Sequence, residues 1–277
     1  MMADTIRYAF LDGGSYAGHC EPQTSLAHGR GKRIFDDDST YDGSWNEGRM
    51  EGHGVMKFGT SCPSLYSFEG NWVNNKFQGE GTLLYRYFHV AGVQAKFEGE
   101  FHDGKRHGNG LGTFADGESY EGGWEDDKRQ GFGSQIWRNG ERYVGQWKED
   151  ARNGFGVHSG PRGDYEGQWK GDKRHGVGKQ TELNGDCYEG EWKNDQRHGV
   201  GILRWGTGHC YSGGWQRDKR HCVGTQEWSN GDHYTGEWEG DQPVGFFGGD
   251  IVFSSPSPEL TIVRGKVSAF GAESAKS

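Results

Sequence analysis

Four histidines, His107, His175, His198 and His221, stand at equivalent places in a recurring pattern. Histidine is the commonest metal ligand. In a strand ladder, however, neighbours in this set lie two strand spacings, roughly 10 Å, apart. A zinc–nitrogen bond is only about 2 Å long. The histidines are therefore expected in turn or packing roles, not in a metal centre. The same geometry applies to Cys187 and Cys210, which are 23 residues apart. A disulfide needs Cα atoms within about 7 Å, so Cys187 and Cys210 are expected to be free thiols. His107-Gly108-Asn109-Gly110-Leu111-Gly112 has the glycine content of a phosphate loop. Such a loop joins a strand to a helix N-terminus, and here strand follows strand. Serines, histidines and acids recur along the chain without converging on a pocket. No catalytic residue, cofactor or metal is expected.

The remaining candidates are surfaces. A ring recurs four residues after the second glycine of a Gly-x-Gly pair: Phe58, Tyr85, Phe114, Trp137, Trp205 and Trp228. Gly160 and Glu182 break the series. An apolar row left open marks a partner site, and an extended groove suits a helix or an extended peptide. These six rings, with Glu182 as a local polar notch, are the candidate partner-binding residues. The opposing reading is that every ring is core. A second pattern is basic: Lys105-Arg106-His107, Lys128-Arg129, Lys173-Arg174-His175, Arg197-His198 and Lys219-Arg220-His221. Asp103, Asp127, Asp172, Asp195 and Asp218 precede them at the same hairpin tips. Local neutralising pairs are the simpler expectation, and an anionic partner the alternative.

The elements that position these residues come from an internal repeat. Tyr120-Glu121-Gly122-Gly123-Trp124 is followed by Gly131 and Gly133. The phrase returns as Tyr143/Trp147, Tyr165/Trp169, Tyr188/Trp192 and Tyr211/Trp215, and again from Tyr234. Earlier copies begin at Tyr16, Tyr41, Phe68 and Phe97. From Phe97 the starts fall 23 residues apart, with one step of 22 between Tyr143 and Tyr165; the earlier steps are 25, 27 and 29. Two-residue spacing puts Tyr120, Gly122 and Trp124 on one face of a strand. The same spacing groups Gly131, Gly133, Gln135 and Trp137. Asn139-Gly140 reads as the sharp turn of a β-hairpin, with Asp116-Gly117, Asn184-Gly185 and Asn230-Gly231 in the same place. Glycine opposite a ring lets the ring lie flat on the backbone.

Tyr188-Glu189-Gly190-Glu191-Trp192 and Arg197-His198-Gly199-Val200-Gly201 together resemble the MORN repeat. The resemblance spans roughly residues 16 to 247, and its repetition makes it specific. The expected fold is all-β, an elongated single-layer antiparallel β-meander of about ten tandem hairpins. Residues 1–15 read as an N-terminal half-repeat or cap. The array itself covers 16–247, irregular over 16–96 and regular over 97–247. Residues 248–277 read as a capping strand and tail, with Phe247 standing where glycine is expected. Gly59 to Leu65 and Arg86 to Ala95 look like insertions that make a private docking surface. The resemblance implies a stand-alone structural array like those of ciliary axonemes and radial-spoke heads. About 30 residues follow the repeats, too few for the enzymatic domains that some such arrays carry.

Composition agrees. Gly is 51 of 277 residues, hydrophobics are 31% and aromatics 14%. That is too aromatic for a disordered chain and too poor in aliphatics for a thick core. A net charge of −9 disfavours nucleic acid as a partner. No apolar run reaches the length of a membrane span, about 18 residues, and residues 1–7 lack the apolar stretch of a secretory leader. Reduced, cytoplasmic surroundings are expected. The chain reads as a scaffold for other proteins of a cytoskeletal assembly. A tether to acidic lipid through the basic tips is the alternative, and self-association through end strands is open.

Overall fold

From Tyr41 onward each repeat is built from two strands joined by a turn whose two central residues both have positive φ. The computed structural model describes residues 6–9, 14–88, 94–244 and 251–252, with side chains over 14–86 and 94–244. It divides into two compact units, residues 1–151 and 152–277. The first holds β1 (Ile6–Ala9), β2 (Ser15–Cys20), β3 (Ala27–Ile34), β4 (Thr40–Asn46), β5 (Arg49–Lys57), β6 (Leu65–Val73), β7 (Lys76–Phe88), β8 (Gln94–His102), β9 (Lys105–Thr113), β10 (Ser119–Glu125), β11 (Lys128–Ile136) and β12 (Arg142–Lys148). The second follows as β13 (Ala151–Gly160), β14 (Gly163–Lys170), β15 (Lys173–Glu182), β16 (Cys187–Lys193), β17 (Gln196–Arg204), β18 (Cys210–Gln216), β19 (Lys219–Glu227), β20 (His233–Glu239), β21 (Gln242–Pro243) and β22 (Ile251–Val252). Within each unit, neighbours in sequence pair antiparallel, as a meander of tandem hairpins. No helix occurs among the described residues. At the two ends, β1 pairs with β2 and β22 pairs with β20. Phe247 and, except for 251–252, the expected capping strand and tail over 248–277 lie outside the described residues.

The turns correct one expectation. Two-residue hairpin turns fall at tips such as Asp126-Asp127, Asn194-Asp195 and Arg217-Asp218, with φ of 48° and 68°, 51° and 69°, and 51° and 67°. Positive φ at both centres matches the strand twist, and Asn and Asp tolerate it best among residues with a side chain. Asn139-Gly140 instead lies in a three-residue loop. There the Trp137 N–H donates to the Glu141 carbonyl and the Gly140 N–H to the Trp137 carbonyl. This is the wider hairpin connection, closed by a left-handed glycine.

The core is thin and made of rings on glycines. Tyr120 lies over Gly122 and Gly133, where a Cβ on Gly133 would stand 2.5 Å from the tyrosine Cζ. Its hydroxyl donates to the Gly123 carbonyl at 3.0 Å. Trp124 meets it edge-on at 5.1 Å, and Trp147 of the next strand pair does so at 5.4 Å. The indole N–H of Trp124 donates to the Gly110 carbonyl. The second unit repeats this with Tyr188 between Trp192 and Trp215. The glycine pairing therefore differs from the expected one. Gly133 sits under the ring, but Gly131 is a bulge residue at φ 72° with nothing within 4 Å of an added Cβ. The ladder slips there, from Gly122 opposite Gly133 to Trp124 opposite Arg129. Gly131 is thus required by backbone conformation and Gly133 by close approach.

Candidate functional site

Nearly all the ladder rings are spent on the core. Tyr120, Tyr143 and Tyr211 are fully buried, and Tyr165, Tyr188, Trp124, Trp147, Trp169, Trp192 and Trp215 nearly so. Burial pushes the phenols of Tyr41, Tyr120 and Tyr211 up to about 12 and those of Tyr165 and Tyr188 higher still. A single layer can bury its rings because arginines cover them. The guanidinium of Arg174 sits 4.2 Å from the Trp192 ring, and that of Arg220 4.1 Å from Trp238. Such a contact contributes about 0.5–1 kcal/mol even at exposed sites.

The same arginines settle the chemistry of the tips. Both the backbone N–H and Nε of Arg174 donate to Asp195 Oδ1, at 2.9 and 3.3 Å, and Nη2 donates to the Asp195 carbonyl at 2.9 Å. Arg106 with Asp127, Arg129 with Asp150, Arg152 with Asp172, Arg197 with Asp218 and Arg220 with Asp241 repeat this clasp. Each clasp ties one hairpin to the next. As exposed ion pairs they would contribute little, but the backbone bonds and the ring contact fix their geometry. The tip arginines are therefore internal fasteners. The neutralising pairs expected at the tips form, but between neighbouring tips, with partners about 20 residues apart in the chain.

The six rings proposed for partner binding occupy a different level. Phe58, Tyr85, Phe114, Trp137 and Trp205 are half-buried, and Trp228 is 39% exposed. Phe58 meets Phe77 edge-on at 6.3 Å, and Phe114 lies beside Trp124 across Gly112. Phe114, Trp137, Trp205 and Trp228 begin the wide loops, whereas Tyr85 lies within β7 opposite Leu65. Near Phe58 the insertion after Gly59 is folded down: the Gly59 N–H donates to Ser39 Oγ at 2.7 Å, and Arg86 Nε to the Leu65 carbonyl at 2.8 Å.

Glu182 takes the ring position in its repeat without changing the loop. Its N–H donates to the Asp186 carbonyl at 2.8 Å and its carbonyl accepts from Gly185, as at Trp137. Where an indole would lie there is an open cavity of about 390 Å³, bounded by Glu182, Arg174, Trp192, Arg197, Leu203 and Trp205. The structure thus brings Glu182 and Trp205 together in one recess within the second unit.

The opposite face carries residues that sequence reading passed over. Phe132 in the first unit and Phe155, Val177, Val200 and Val223 in the second are exposed, Val200 at 66%. Phe132, Phe155, Val177 and Val200 stand between the glycines of a Gly-x-Gly pair and Val223 between Cys222 and Gly224, and strand alternation turns each away from the ladder. An apolar residue at that one position in successive repeats was the available signal. The five cysteines are free. Cys222 occupies the bulge position at φ 57°, a conformation that other repeats give to glycine. Among the described residues no group of histidines, cysteines and acids is placed to hold a metal.

The model of the MORN repeat matches nine segments: residues 41–62, 68–86, 97–119, 120–142, 143–164, 165–186, 188–210, 211–233 and 234–246. A search of curated proteins gave no significant match. Among solved structures, the TCP domain of SAS-4 (dCPAP) from Drosophila melanogaster, in complex with a proline-rich motif of Ana2 (dSTIL), is similar at TM-score 0.33 and 10% identity. That alignment covers 56% of this chain and 83% of the other. A mutant TCP10 domain of Danio rerio CPAP is similar at TM-score 0.22 and 7% identity, over 84% and 93%. Likeness this slight bears on no functional argument.

Proposed function

This chain belongs to the MORN-repeat family, and from that premise we propose that it is a non-enzymatic scaffold binding other proteins along its ring-lined face. The observation that carries the proposal is the division of labour among the rings. In each unit one set is buried as core, and a second set, Phe58, Tyr85, Phe114 and Trp137 in the first unit and Trp205 and Trp228 in the second, stays partly exposed. Rings that are apolar, rigid and partly exposed are the residues that anchor protein interfaces. The clasped arginines argue against the runner-up, a lipid tether, because their charge already meets an aspartate. Lys105 is paired with Asp126 as well, at 3.5 Å, and among the described residues Lys128, Lys173 and Lys219 are the tip lysines left for it. The setting we propose is a cytoskeletal assembly, with the ciliary axoneme and its radial spokes as the specific case drawn from the family resemblance. Proximity labelling in the native cell tests that placement.

Sedimentation with acidic liposomes separates the two readings. The scaffold reading expects no salt-sensitive binding, with a discrete protein recovered by crosslinking. Strong binding that falls in a Lys173→Glu, Lys219→Glu variant would replace it with the tether. Self-association through the edge of β1, which pairs with β2 alone among the described residues, is expected to show as a dimer mass in light scattering.

A further inference from the structure

We propose that the recess at Glu182 receives an arginine or lysine side chain of the protein partner. The proposal rests on the scaffold reading and adds to it the chemistry of one anchor. Three observations meet in the recess. First, the loop backbone at Glu182 is that of the Trp137 and Trp205 loops, so the substitution removes an indole and leaves its space open, about 390 Å³. Second, the charge there is unbalanced. Arg174 is clasped to Asp195 and Arg197 to Asp218, whereas Glu182 and Asp186 have no ion pair among the described residues. The Glu182 carboxylate also accepts no hydrogen bond there, while Asp186 Oδ1 accepts only from the Gly206 N–H, at 2.9 Å. Third, among the described residues the Trp205 ring beside them carries no guanidinium and meets only the His209 ring edge-on at 6.5 Å, unlike Trp192 and Trp215, which face Arg174 and Arg197. A carboxylate next to an indole free of guanidinium suits a cation with an apolar stem.

Arg197 supplies a further contact. The Nη1 atoms of Arg129, Arg174 and Arg220 each donate to a glutamine, Gln135, Gln180 and Gln226. In the Arg197 repeat that place is taken by Leu203, and Nη1 of Arg197 has no hydrogen-bond partner among the described residues. A main-chain carbonyl of the partner, next to its basic residue, would satisfy it. Leu183, 79% exposed beside Glu182, offers an apolar rim. The protein's overall charge of −9 also favours approach of a basic segment.

The test titrates the full chain with the peptide acetyl-Gly-Arg-Gly-amide, and with its citrulline analogue, following the indole N–H resonances by NMR. Trp205→Phe identifies the Trp205 signal. The arginine peptide is expected to shift the Trp205 and Trp192 indoles saturably, and the neutral citrulline peptide is not. Glu182→Gln should weaken binding about tenfold, the usual loss when a charged hydrogen-bond acceptor is neutralised. Glu182→Trp should abolish binding by refilling the space, with the fold intact by circular dichroism. Glu227→Gln, on β19 and outside the recess, should change nothing. Equal response to both peptides, shifts spread evenly over the indoles, or unaltered binding in Glu182→Gln would overturn the proposal. If a protein partner still crosslinks to the ring face while the arginine peptide gives no response, the recess proposal alone fails. If neither binds, the scaffold reading fails with it.

Discussion

Replacing Gly133 by alanine tests how the ring ladder is packed. The added Cβ would stand 2.5 Å from Cζ and 2.6 Å from Cε2 of Tyr120. Carbon atoms in contact prefer about 3.5–4.0 Å, so the ring must retreat by about 1 Å. Overpacking of this kind costs about 1–3 kcal/mol. Retreat also draws the Tyr120 hydroxyl away from the Gly123 carbonyl, now at 3.0 Å, which adds about 1 kcal/mol. The expected loss is about 2–4 kcal/mol. Gly131→Ala is the internal comparison. Nothing lies within 4 Å of its added Cβ, but φ is 72°, so only the left-handed backbone is charged, at about 1–2 kcal/mol. Urea unfolding followed by tryptophan fluorescence gives the totals. Hydrogen exchange read by mass spectrometry assigns them to a repeat, since arrays of this kind open locally. In a Tyr120→Leu background the obstacle is gone, and Gly133→Ala should cost clearly less. An equal cost in both backgrounds, or a Gly133→Ala no more harmful than Gly131→Ala, would refute the packing described here.

Cys222→Gly should stabilise the protein by about 1 kcal/mol, because cysteine holds a left-handed φ of 57° there; an unchanged or lower Tm would count against this. The buried phenols link stability to alkaline pH. Their folded pKa is raised from about 10 to about 12 at Tyr41, Tyr120 and Tyr211 by burial. Folding therefore favours the protonated form, and the contribution is complete below about pH 10 and is lost as pH rises through 12. Phenolate absorbance and loss of circular dichroism should coincide in that window; full phenolate titration near pH 10 with the fold intact would contradict it. Trp228→Ala should weaken partner capture while changing stability by less than about 1 kcal/mol, since the ring is 39% exposed. A large drop in Tm would instead make that ring core.

The repeat was readable because its ring and glycine positions recur at fixed spacing. Tyr188, Gly190 and Trp192 have to share a face whatever the register. The turns were misplaced for a local reason. Asn139-Gly140 is the pair most often associated with tight hairpins, but the two-residue turns fall at the other ends of the strands, and some of them, such as Asp126-Asp127 and Asn194-Asp195, carry no glycine. The bulge at Gly131 was hidden because Gly-x-Gly looks like simple alternation, and only the pairing shift from Gly133 to Arg129 separates the roles of the two glycines. The arginine clasps were not legible because Arg174 and Asp195 are brought together by the stacking of hairpins and not by proximity in sequence. The break at Glu182 was visible as a departure from a rule. That its loop would keep the backbone of its neighbours, leaving a recess, required the hydrogen bonds from Glu182 to Asp186 and from Gly185 to Glu182.

Site-specific photo-crosslinking tests the scaffold proposal most directly. A photoreactive phenylalanine is placed in native cells at Trp137 or Trp228 on the ring-lined face, and at Val200 on the opposite face. The account predicts discrete protein adducts from Trp137 and Trp228 and none from Val200. Adducts only from Val200, or lipid adducts at the ring positions with no protein partner, would contradict it.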